Sequence, residues 1–153
     1  MTLQQLLDRD AIHRVHMSYS RAVDRRDAAL LRTVLAPDAS VGDDPATFEF
    51  RGIDEIASRF SRLHRYRNTA HYMMNTTFLR IHGDEADTEI YAIASHQYPA
   101  DAPPEPDGHP PQYIAAIRYQ DHLVRRQGQW QIQRRLLAVQ WTQGQGIRVK
   151  RPA

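Results

Sequence analysis

Between Thr2 and Leu63 three stretches carry apolar residues at helical spacing, interrupted by one short strand pair; beyond Thr69 the apolar residues alternate. Leu6, Ile12, Val15, Tyr19 and Ala22 mark one face of a first helix, and Thr2 with Gln5 fits a capping box at its start. Asp27 reads as the N-cap of a shorter helix carrying Leu30, Leu31, Val34 and Leu35, which Pro37 ends because proline disfavours helix in the residue before it. A strand pair, Ala39–Val41 and Phe48–Arg51, should flank the polar turn Gly42-Asp43-Asp44-Pro45. Ile56, Phe60 and Leu63 then share one face of a third helix, Ile53–Leu63. The alternating segments predict four long antiparallel strands: Thr69–Ile81, Ala86–Tyr98, Gln112–Arg125 and Gln129–Thr142.

Three helices followed by a long-stranded sheet describe an α+β layer pair, with a curved antiparallel sheet packed on the N-terminal helices. We expect one domain over residues 1–142 and a basic tail over 143–153. The segment Pro99–Pro111 (PADAPPEPDGHPP) suits neither helix nor strand, and is either a pocket lid or a plain surface excursion. Trp130, Ile132 and Trp141 suggest an outer sheet face apolar enough to pair subunits.

Composition removes several chemistries. The chain of 153 residues has no Cys, which excludes thiol nucleophiles, disulfides and Cys-ligated metal. Its single lysine, Lys150, lies in the expected tail, a poor place for Schiff-base chemistry. Neither GxGxxG, GxxxxGK[ST] nor GxSxG occurs. The formal net charge is only +2, and the pairs Arg125–Arg126 and Arg134–Arg135 read as solvated edge-strand charge, so no nucleic-acid partner is expected. There is no apolar run long enough to span a bilayer and no signal-peptide pattern, so we expect no membrane partner and a cytoplasmic protein.

The remaining candidates are Asp24, at the end of the first helix, and two strand histidines, His71 and His96. Strict alternation puts His71 on one face with Met73, Asn75 and Thr77, and His96 on one face with Ala94, Ala92 and Ile90. If both faces point inward, they make apolar walls with two polar anchors, as a small hydrophobic substrate requires. Taken alone, Asp24 could simply cap the turn beside Arg25 and Arg26, and Tyr19 could be a core aromatic or a hydroxyl donor. His13, His16, His64, His82, His109 and His122 read as exposed or loop residues. Two histidines and a carboxylate could also make a metal facial triad, but these three come from separate elements, and the chain's HxD pair, His82 and Asp84, falls in a turn. We expect no metal and no cofactor.

The runs YSRAVDRRDAALLRTVLAPDASV, GIDEIASRF, NTAHYMMN, SHQY and YQDHLVRRQGQWQIQRR, in this order, resemble the SnoaL-like branch of the nuclear-transport-factor-2-like superfamily, from about Leu7 to about Trp141. Within it the chain most resembles scytalone dehydratase, lindane dehydrochlorinase and bile acid 7α-dehydratase. The resemblance implies a cone-shaped α+β barrel with a cofactor-independent lyase or isomerase site, in a homo-oligomer (trimer or dimer). It implies Asp24 as the pocket aspartate, His71 as the catalytic histidine and His96 as a second histidine. Tyr19 resembles an active-site tyrosine, and Arg135 matches an arginine that assists a leaving group. Ile117 and Tyr119 replace a serine and an asparagine of scytalone dehydratase, Val23 and Asp43 replace its tyrosines, and Ala94 replaces the bile acid enzyme's strand aspartate. Substrate identity is therefore not carried over. Candidate substrate contacts are Met73, Asn75, Ala94, Ile117, Tyr119 and Arg135. The chemistry expected is dehydratase-type β-elimination with His71 as base. An isomerase or cyclase with Asp24 as base, and a non-catalytic binding or assembly module, are the alternatives.

Overall fold

A computed structural model of the chain describes residues 1–46, 49–103 and 111–144. Helix α1 (Leu3–Arg25) begins on the expected capping box, with Thr2 and Gln5 exchanging side-chain and backbone hydrogen bonds. It ends at Arg26, a left-handed residue at φ 55°. Helix α2 (Ala28–Val34) is capped by the Asp27 side chain, which accepts from the backbone N of Leu30. Strand β1 (Leu35–Gly42) follows at once, so Leu35 is a strand residue and not the last residue of the helix. Pro37 lies within β1, where the register against the last strand shifts between Leu35 and Ser40; a proline without an N–H fits such an irregularity. Strand β2 (Phe50–Arg51) pairs with β1, and Phe48 lies outside the described residues. Helix α3 (Ile53–Phe60) is shorter than expected because the chain tightens into a 3-10 turn over Ser61–Arg65.

The four long strands form close to their expected limits: β3 (Asn68–His82), β4 (Glu85–Gln97), β5 (Gln112–Arg126) and β6 (Gln129–Gly144). They join β1 and β2 in one open, six-stranded curved sheet in the order β2-β1-β6-β5-β4-β3. All pairings are antiparallel except β1 with β6, which is parallel. Strand β6 runs to Gly144; residues 145–153, most of the expected tail, lie outside the described residues, as do 104–110 of the proline-rich segment.

Bulges decide which side chains face the helices. On β3, Met73 pairs with Ala92 but Thr76 pairs with Ile90, so one extra residue reverses the alternation. Thr69, His71 and Met73 therefore face inward with Thr76 and Phe78, while Asn75 and Thr77 are exposed, contrary to the strict alternation expected of them. On β6, an extra residue between Ile132 and Arg134 brings Arg135 opposite Asp121. Trp130 and Ile132 are buried in the core beneath α1 and α2, not on the outer face. Of the three residues expected outside, Trp141 is exposed (47%), and the register aligns it with Ala116, Ile93 and Tyr72 in one row across the outer sheet.

The inner face holds two apolar clusters. One joins Ile12, Val15, Tyr19, Ala22 and Val23 of α1 to Leu31, Leu35, Ile56, Leu123, Trp130 and Ile132. The other, around Ile90, Ala92, Ala94, Ala115, Ile117 and Tyr119, lies further along β4 and β5, with Met73 packed against it. Asp24 and His71 lie at the edge of the second cluster, because Ala94 is the pairing partner of His71.

Candidate active site

Asp24 is in the last turn of α1, where the helix dipole disfavours a carboxylate. What holds it there is His71. The His71 backbone N donates to Asp24 Oδ2 at 2.9 Å, and His71 Nδ1 lies 2.7 Å from Asp24 Oδ1. An ionised carboxylate only accepts, so Nδ1 is the donor, and in the neutral ring Nε2 carries the lone pair. Among the described residues Nε2 has no hydrogen-bond partner. Burial pushes the Asp24 carboxyl up, but the hydrogen bonds from the His71 ring and backbone outweigh this and hold it below the usual carboxylate range.

His96 pairs with Thr69 across the ladder, and its ring meets that of His71 edge-on, with centroids 5.5 Å apart. Burial, and then the nearness of His71, lower its pKa from 6.5 to about 4, so it is neutral near pH 7. Its Nδ1 is buried without a hydrogen-bond partner among the described residues. The His96 ring also stacks on Tyr66 (4.7 Å) and Tyr113 (5.6 Å), and Tyr66 meets Tyr98 at 5.0 Å. These three tyrosines were not singled out from the sequence. Tyr98 and Tyr113 continue the inward alternation of His96 and Ala115, which was a readable signal; Tyr66 precedes its strand and carried none.

The structure therefore brings Asp24, His71 and His96 together. Ala94 pairs with His71 across the ladder and Met73 packs on the same apolar cluster, with Ile117 and Tyr119 further along it. Asn75 does not belong to this set, since the β3 bulge turns it to solvent.

Tyr19 and Arg135 belong to a separate buried network. Arg135 is fully buried rather than a surface charge, its Nε and Nη2 donating to the two oxygens of Asp121 at 2.8 and 2.6 Å. Its guanidinium carbon lies over the rings of Tyr19 (3.9 Å) and Tyr119 (4.4 Å). His16, expected at the surface, is also fully buried: Nδ1 lies 3.3 Å from Arg135 Nη2 and Nε2 lies 3.3 Å from Thr88 Oγ1. Burial outweighs the pull of Asp121 and lowers His16 to about 4. A neutral ring accepting from Arg135 at Nδ1 must carry its proton on Nε2, toward Thr88. Two signals could have found this network. His16 follows Ile12 by one helical turn, and Asp121 has the inward parity of Ile117 and Tyr119. His122 also departs from expectation, being half-buried on β5 with Nδ1 2.8 Å from Asp87 Oδ1.

A model of the SnoaL-like domain family matches residues 4–136. The chain belongs to the SnoaL-like domain family. A search of the curated proteins found no match. Among solved structures, a proposed scytalone dehydratase from Novosphingobium aromaticivorans superposes with a TM-score of 0.83 at 25% identity, covering 99% of this chain and 97% of that one. A hexachlorocyclohexane dehydrochlorinase from Novosphingobium barchaimii gives 0.77 at 18% identity, covering 98% and 99%. A protein with a cystatin-like fold from Nostoc punctiforme gives 0.65 at 20% identity, covering 87% and 91%. The last two likenesses speak for the fold alone. Among the described residues no group of three or more His, Asp or Glu side chains is placed to hold a metal ion, and no helix is long and apolar enough to cross a membrane.

Proposed function

We propose that this SnoaL-like domain is a cofactor-independent lyase acting by β-elimination on a small hydrophobic cyclic or polyketide-like substrate, with His71 as the general base. The observation that carries the reading is the double hold of Asp24 on His71, which fixes the ring and directs the Nε2 lone pair away from the carboxylate. The likeness to a proposed scytalone dehydratase supports elimination as the reaction class.

In the proposed step His71 Nε2 takes a proton from the carbon beside a carbonyl. The C–H electron pair becomes the new double bond, and the C–O bond to the β-hydroxyl breaks with its electrons. The resulting imidazolium is stabilised by Asp24, as in a Ser-His-Asp arrangement, and returns its proton to the leaving hydroxide, giving water. His96 is neutral near pH 7, so it serves as a hydrogen-bonding anchor for substrate oxygen and not as a cationic acid. Tyr19 and Arg135 support the wall from behind, since both are committed to the Asp121 network. The alternative with Asp24 as base is disfavoured because both its oxygens already accept hydrogen bonds from His71.

The test is a panel of cyclic β-hydroxy ketones and β,γ-unsaturated ketones in deuterated water, followed by mass spectrometry. Loss of water that disappears in His71→Ala supports elimination. Deuterium uptake with no loss of water would point to isomerisation instead. Wild-type activity in both His71→Ala and Asp24→Asn would overturn the reading.

A further inference from the structure

We infer that the cleft between α1, α2, α3 and the 3-10 turn is a second binding site, separate from Asp24 and His71, which takes a small aromatic monocarboxylate. The inference does not depend on the reaction proposed above.

The cavity measures about 200 Å³, and its lining comes from the helices, the 3-10 turn and the connection between α1 and α2. None of Asp24, His71 and His96 lines it. Ala22 and Leu31 of the main apolar cluster form one wall, and Ala57 and Phe60, which pack against that cluster, form the other. The short side chains at Ala22 and Ala57 leave open a space that a larger residue would fill. A pocket for a drug-sized ligand holds roughly 300–1,000 Å³, so this one is limited to a single ring or a short chain.

Arg26 supplies the charge. Its Nη2 donates to the carbonyls of Tyr66 at 2.9 Å and Leu63 at 3.2 Å, which carries the guanidinium from the end of α1 across to the 3-10 turn. Both partners are neutral, and among the described residues no carboxylate pairs with it. Its Nε is buried with no hydrogen-bond partner among the described residues. The acidic residue on the lining, Asp27, is engaged elsewhere, with Oδ1 accepting from the Leu30 backbone N at 2.9 Å. A half-buried guanidinium beside apolar walls, without a counter-ion, favours a guest that brings the negative charge. Its planar fork matches a carboxylate, and the walls favour an apolar body over a fully hydrated ion. His64, exposed on the lining, offers a further ring nitrogen to the same guest. The backbone of Arg26 is left-handed (φ 55°), a conformation that favours glycine, and glycine would bring no charge to the cavity.

NMR titration of isotopically labelled protein with benzoate, and with benzamide as its neutral counterpart, tests the site. Benzoate should shift the amide signals of Ala28, Ala57 and His64, and should bind at least about tenfold more tightly than benzamide, as a charged hydrogen bond requires. In Arg26→Gln that preference should fall below about threefold while the affinity for benzamide stays the same. Ala57→Leu keeps a good helix former on α3 and fills the cavity, so it should abolish binding of both compounds. It also decides the matter should Arg26→Gln fail to fold. His71→Ala should leave the shifts and the affinity as in the wild type. Absence of shifts at those amides, equal affinities for the two compounds in the wild type, or undiminished binding in Ala57→Leu overturns the inference. Loss of the shifts in His71→Ala also overturns it, because the ligand then belongs to the site of Asp24 and His71.

Discussion

Asp24 and His71 are joined twice, by Oδ1 to the imidazole Nδ1 at 2.7 Å and by Oδ2 to the backbone N at 2.9 Å. One carboxylate thereby sets both where the histidine sits on β3 and which of its nitrogens carries the proton. Asp24→Asn should disrupt both. An amide in that place can present its NH2 to Nδ1 and favour the wrong tautomer, so turnover should fall on the order of 10²–10⁴-fold with little change in ligand affinity. Steady-state kinetics, with kcat and KM compared separately, checks this.

The same pair sets a pH dependence. The Asp24 pKa is lower in the folded protein than in the unfolded chain, so its contribution to stability is present above the unfolded carboxylate pKa and is lost as the pH falls through the folded value. The gap in urea midpoint between wild type and Asp24→Asn should therefore be wide at pH 7 and close on acidification. A gap that is constant down to the acid limit would contradict the linkage.

His16 and His96 act in the opposite direction to a stabilising histidine. Both have folded pKa values of about 4 against 6.5, so the unfolded chain takes up protons first as the pH falls. Stability should drop between pH 6.5 and about 4, each residue contributing a slope of up to about 1.4 kcal/mol per pH unit in that window. His16→Gln and His96→Gln should each flatten the decline, measured by chemical unfolding across the range.

Arg135 and Asp121 form a fully buried pair, held on two further sides by Tyr19 and Tyr119. Arg135→Met alone strands a buried carboxylate and should cost about 3–5 kcal/mol. Adding Asp121→Leu should restore much of that loss, because neither charge is then left without its partner. Unfolding of the single and double variants in guanidinium checks the order.

The outer row Tyr72, Ile93, Ala116 and Trp141 offers apolar surface for a second copy of the chain. We expect a dimer or trimer by light scattering, and Trp141→Glu should shift it toward monomer without changing the circular dichroism spectrum. An unchanged mass for the variant would place the contact elsewhere.

Most of the elements were legible in the sequence, because their signals are local. The capping box at Thr2, the cap at Asp27 and the alternation from Thr69 onward depend on near neighbours along the chain. The pairing of Asp24 with His71 was reached through family motifs and not from spacing, since 47 residues separate the two. Where a local rule failed, something outside the segment intervened. Strict alternation placed Asn75 beside Met73 and His71, and a bulge against β4 reversed it. Trp130 and Ile132 read as outer-face residues until the register of β6 placed them under the helices.

By itself, then, the sequence determined the order of helices and strands, the absence of thiol chemistry, and the residue types from which an acid–base site could be built. Tertiary structure decided which of those residues meet. Strand register, which a single inserted residue reverses, selected His71 and His96 for the inner face and excluded Asn75. Burial decided charge. It placed Arg135 and His16 in the core and made His96 neutral near pH 7, because desolvation depends on what packs around a group and not on its neighbours in the chain.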